Sequence, residues 1–112
     1  MDLVNEIEQI KFRMGLLREG TELSLFIYDA EITSEQWEAI RSLFTELNDR
    51  ILKGEQINSH EYEQKILSFV DQEKLDHHFA ENIARIYWEN DQHKEVFETL
   101  YNDSPKFFHL FR

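Results

Sequence analysis

The sequence predicts an all-α protein, a single-domain bundle of about five to six short helices that associates with copies of itself. Three observations predict it. The signature Ile32-Thr33-x-x-Gln36-Trp37 returns as Ile57-Asn58-x-x-Glu61-Tyr62. In each, a Thr or Asn oxygen is placed to accept from the first-turn N–H groups, the residue three on can reach back, and the flanking apolar pair has staple spacing. Apolar residues recur at steps of three and four, the period of a helix buried on one face. The chain of 112 residues holds three Gly and one Pro, so it has few places to break.

In chain order, residues 2–19 form the first helix. Leu3, Ile7, Ile10, Met14 and Leu17 follow one another at steps of 4, 3, 4 and 3, which reads as a continuous buried seam. Gly20 is placed as its left-handed stop. Gly15, inside it, costs about 1 kcal/mol relative to Ala and serves a close helix approach or is tolerated. Residues 22–30 fit both a strand and a helix; with no second strand to pair with, they are a short helix. The next helix runs from Ser34 to Lys53, with Trp37, Ile40, Phe44, Leu47 and Ile51 inward and Gly54 beyond its end. Another spans Ser59–Val70 with Tyr62, Ile66, Phe69 and Val70 inward. After a charged connection at 71–75, Asp76 caps a helix whose apolar face is Phe79, Ile83, Ile86 and Tyr87. A break near Asn90-Asp91 precedes a helix carrying Val96, Phe97, Leu100 and Tyr101. Asp103 or Ser104, with Pro105 behind, marks a further helix start. It leads into an aromatic tail over 104–112.

Charge excludes several functions. The formal net charge is −11, with 12 acids against 6 bases in residues 1–56 and 11 against 6 in 57–112. A field of that sign repels polyanions, so direct binding to nucleic acid or an anionic membrane is not expected. The longest apolar stretch, near 23–28, is far short of the ~20 residues that span a bilayer. The chain holds no Cys, which removes disulfides and thiolate chemistry. No secretory leader is read at the N-terminus, so the location is expected to be cytoplasmic.

The motif inventory excludes most chemistry. No Glu stands three residues before a His, as di-iron bundles need. No His-Glu-x-x-His, glycine-rich phosphate loop or nucleophile elbow occurs. The remaining candidate is the turn Asp76-His77-His78 with Glu81, whose spacing lets a His and Glu81 share a helix face and hold a divalent metal. The competing reading is a solvated first turn whose acids suit a helix start. No organic cofactor is expected.

Apolar surface exceeds what one small core needs. Phe12 and Leu16 lie off the seam of the first helix, and Phe107, Phe108 and Phe111 crowd the tail. These five are candidate interface residues, for a second copy or for another protein. The competing reading packs Phe12 and Leu16 on the short helix and folds the tail back as a lid. The expectation is a non-enzymatic assembly or interaction module; the alternatives are a metal-dependent enzyme or sensor at the Asp76 turn, and an acidic decoy for a nucleic-acid-binding protein.

Glu73-Lys74-Leu75-Asp76, then His78, Ile83 and Tyr87, resembles the YhaI-like group of small bacterial proteins. The order of an Ile-rich first helix, a short apolar segment, and Thr33-Ser34-Glu35 opening a long helix that ends at Gly54 resembles it too. The resemblance spans residues 5–102 and leaves out Pro105 to Arg112. It implies an all-helical fold, a cytoplasmic location and self-association. That family carries no assigned activity, so the resemblance implies no catalytic residues.

Overall fold

The computed structural model describes residues 3–107. It contains six helices: α1 (Leu3–Glu19), α2 (Glu22–Asp29), α3 (Ser34–Leu52), α4 (Ser59–Phe69), α5 (His77–Glu89) and α6 (Lys94–Tyr101), with no strand among the described residues.

Caps set the boundaries. Thr33 Oγ1 accepts from the Gln36 N–H at 3.1 Å, and Gln36 Oε1 accepts from the Thr33 N–H at 2.9 Å, a complete capping box at the start of α3. Asn58 Oδ1 accepts from the Glu61 N–H at 2.8 Å and opens α4. Thr21 caps α2 through the Ser24 N–H. Gly20 (φ 62°) and Gly54 (φ 78°) take the left-handed conformation after α1 and α3, where a side chain would be strained.

The core gathers around α5, which packs against α2, α4 and α6, while α3 covers α4 and α6. Phe44 lies at its centre, against the rings of Tyr62, Tyr87 and His93 at 5.6, 4.7 and 5.5 Å. Tyr62 Oη donates to the Ala80 carbonyl at 2.7 Å and ties α4 to α5. Gln72 links the α4–α5 connection to the α2–α3 turn by donating to the Glu31 carbonyl at 2.9 Å.

Helix α1 departs from expectation. It packs chiefly on α2, and its buried residue is Leu16. The expected seam faces outward: Leu3, Ile7, Ile10, Met14 and Leu17 are between 43% and 68% exposed. The inward face is the one at i, i+3, i+4 and i+7, formed by Gln9, Phe12, Arg13 and Leu16. Gln9 Nε2 donates to Ser34 Oγ and Glu35 Oε2, the Arg13 guanidinium lies 4.0 Å from the Tyr28 ring centroid, and Phe12 packs on the core. These polar anchors, together with the largest ring of the helix, select the docking face over the more regular stripe. An added Cβ at Gly15 meets nothing within 4 Å, so no close approach depends on this glycine.

Near the C-terminus, the expected helix start at 103–105 is instead a pair of turns among the described residues. Ser104 donates to the Tyr101 carbonyl and Phe107 to the Ser104 carbonyl.

Candidate functional site

The Asp76 turn is built by helix capping. Asp76 Oδ1 accepts from the His78 N–H at 2.9 Å, and His78 Nδ1 lies 3.3 Å from the same carboxylate. The backbone bond to His78 is the main reason the Asp76 carboxyl sits below its usual pKa; the two imidazoles add to it. The rings of His77 and His78 lie 4.0 Å apart. Ligand atoms from Asp76, His77 and His78 fall within 4.8 Å of one another, all on exposed residues. Glu81 is turned elsewhere, where it accepts from Lys106 Nζ at 2.8 Å. The structure thus brings three of the four expected ligands together. Their carboxylate is already engaged by the helix start, whose dipole opposes a cation. The arrangement is that of a capped first turn.

The expected interface residues lie mostly inside the chain. Leu16 is 5% and Phe107 7% exposed. Phe107 stands edge-on to Phe97 and Tyr101 at 5.2 and 5.5 Å. Phe12 is half-buried against the core. These three side chains are spent on the chain's own packing, because α2 and the α6 turn supply the apolar cover they need. Phe108 and Phe111 lie outside the described residues.

Among the described residues the longest run of exposed apolar side chains is the outer stripe of α1; Val4, Leu25 and Leu52 are exposed besides it. The stripe runs alongside a split of charge. Glu6 and Glu8 lie in the first half of the helix, and Lys11, Arg13 and Arg18, followed by Glu19, in the second. The 4-3-4-3 spacing was the signal for this surface, but spacing does not tell which stripe of a helix will be covered.

Two concave surfaces of about 450 Å³ each mark the body of the fold. One is an apolar groove between α3 and α4, floored by Leu43, Leu47, Ile57 and Tyr62. The other lies among α1, α2, α3 and α5, with Leu16, Leu23, Trp37, Arg41, Ile86 and Tyr87 in its lining. A smaller hollow of about 350 Å³ adjoins it and shares Arg41 and Tyr87, with His93 beyond. Burial pushes the Tyr87 phenol up to about 12 against the pull of Arg41, so it stays protonated and able to donate at neutral pH. No sequence motif marked this pair: Tyr87 read as core, and Arg41 lies in no pattern.

No protein-family model, no curated protein and no solved structure matches the chain. Among the described residues, no helix is long and apolar enough to cross a membrane.

Proposed function

We propose that this protein is a non-enzymatic self-assembly module, in which two copies pair through the outer stripe of α1. The carrying observation is that stripe: five large apolar side chains in heptad register, left open by the chain's own fold. They offer on the order of 500 Å² of apolar surface per chain, near the upper end for a monomer's largest patch. Across a two-fold pair that is about 1,000 Å², the floor for a specific interface, so the expected affinity is modest.

A second copy fits this surface better than an unrelated partner does, for two reasons. An identical helix carries the same 3-4 repeat, and seams of equal period interdigitate along their whole length. The charge split also favours antiparallel self-pairing. Laid head to tail, the first half of one α1, with Glu6 and Glu8, lies alongside the second half of the other, with Lys11 and Arg18. The resemblance to the YhaI-like group supports the same reading.

Light scattering coupled to gel filtration tests it. The expected mass at high micromolar concentration is twice the 13.6 kDa of the chain. Ile10→Asp returns it to one chain's mass with the fold intact, since Ile10 is exposed. A wild-type monomer at that concentration, or a dimer indifferent to Ile10→Asp, overturns the proposal.

A further inference from the structure

We propose that the cleft among α1, α2, α3 and α5 binds a small monocarboxylate with an apolar body, gripped by the Arg41 guanidinium and the Tyr87 hydroxyl. The inference is independent of α1 pairing: α1 turns Leu16 toward this cleft and the stripe of Leu3, Ile7, Ile10, Met14 and Leu17 away from the core.

Four observations converge on this cleft. Its volume, about 450 Å³, is in the range of small-molecule sites. Tyr87 is 6% exposed, yet its hydroxyl donates to no protein group among the described residues. The ring is buried while the oxygen keeps its access to the cleft, where a ligand acceptor can reach it. Arg41 also lines it and has no carboxylate within ion-pair distance among the described residues, in a chain where acids outnumber bases 23 to 12. Its guanidinium instead stands 6.0 Å from the Trp37 ring centroid. Beside Tyr87 the backbone is strained. His93 holds φ 47° at the start of α6 without a side-chain cap, and its ring meets Tyr87 edge-on at 4.8 Å. Strain of this kind persists where surrounding contacts over-determine a position, and the His93 ring packs on Tyr87 there.

The chemistry of the ligand follows from the lining. A guanidinium and a neutral phenol are donors that line one space, and together they suit a carboxylate. Leu16, Leu23 and Ile86 supply an apolar floor, and Trp37 a flat wall parallel to Tyr87 within 11°. Glu19 in the cleft and Glu38 in the adjoining hollow disfavour a dianion such as a phosphate monoester. A planar or short-chain monocarboxylate satisfies all of these groups.

The test is a titration of ¹⁵N-labelled full-length protein, followed by NMR, with benzoate, its uncharged analogue benzamide, and phenyl phosphate. Benzoate is expected to give saturable shifts at the Trp37 indole N–H and at the amides around Tyr87. Benzamide and phenyl phosphate are expected to bind at least tenfold more weakly. Arg41→Gln, at an exposed position, is expected to weaken benzoate at least tenfold. Tyr87→Phe, which removes one oxygen from an otherwise unchanged ring, is expected to weaken it severalfold. Both variants retain the dispersed spectrum of the parent. Absence of saturable shifts, equal binding of benzamide or phenyl phosphate, or an unchanged benzoate affinity in either variant overturns the proposal.

Discussion

Helices α1 and α5 are both amphipathic, and the chain treats them in opposite ways. On α5, Phe79, Ala80, Ile83, Ala84, Ile86 and Tyr87 all disappear into the core. On α1, the more regular stripe stays open and one off-stripe leucine is buried. Periodicity therefore identifies a face that needs cover without saying what covers it. For α5 the cover is α2, α4 and α6. For α1 the neighbour is α2, and the outer stripe is left for something else.

The sharpest break of this comparison is a pair of truncations. Phe44→Ala removes a fully buried ring that touches Tyr62, Tyr87 and His93. It is expected to cost about 3–5 kcal/mol in urea unfolding, the range for large core truncations. Leu17→Ala on the open stripe is expected to change monomer stability by no more than ~0.5 kcal/mol. The comparison must be made at low concentration, since self-association adds stability by mass action. Equal losses at the two sites would show that α1's outer stripe is covered within the monomer. A smaller effect comes from Tyr62→Phe. Losing the buried bond to the Ala80 carbonyl is expected to cost about 1 kcal/mol, and a null result would show that packing alone joins α4 to α5.

Much of this fold was legible because its signals are local. The Thr33–Gln36 capping box, the Asn58 and Asp76 caps, and the glycines at 20 and 54 each act within a few residues, and all take the expected conformation. The apolar faces of α3 to α6 were also readable, because each carries one dominant stripe. Helix α1 was misread because it carries two. The choice between them was made by Gln9 reaching Ser34 and Arg13 reaching Tyr28, contacts 15 to 26 residues apart that leave no periodic trace. Glu81 shows the same limit: the cation it pairs with, Lys106, lies 25 residues away. The Arg41–Tyr87 cleft is likewise non-local, since Arg41 comes from α3 and Tyr87 from α5.

Gly15→Ala sharpens the comparison from the α1 side. The residue sits in mid-helix, and nothing lies within 4 Å of the added methyl. Lower helix entropy cost is expected to stabilise the protein by about 0.5–1 kcal/mol. If the helix is cooperative with the core, the gain appears in global unfolding; if α1 opens on its own, it appears as slower amide exchange confined to α1.

The smallest expected effect is on pH dependence, and it comes from the α5–α6 junction. His93 is packed between Phe44 and Tyr87, and burial lowers its pKa, with Glu95 opposing weakly. The unfolded chain therefore binds the proton more readily, at an ordinary value of about 6.5. Stability from this group is present above that value and is lost as pH falls through the lower folded value. His93→Asn removes the titration, and Asn tolerates the left-handed backbone there. Urea midpoints at neutral and mildly acidic pH are the measurement. The parent is expected to lose more stability on acidification than the variant. An equal loss in both places the acid sensitivity elsewhere and leaves the His93 ring as packing alone.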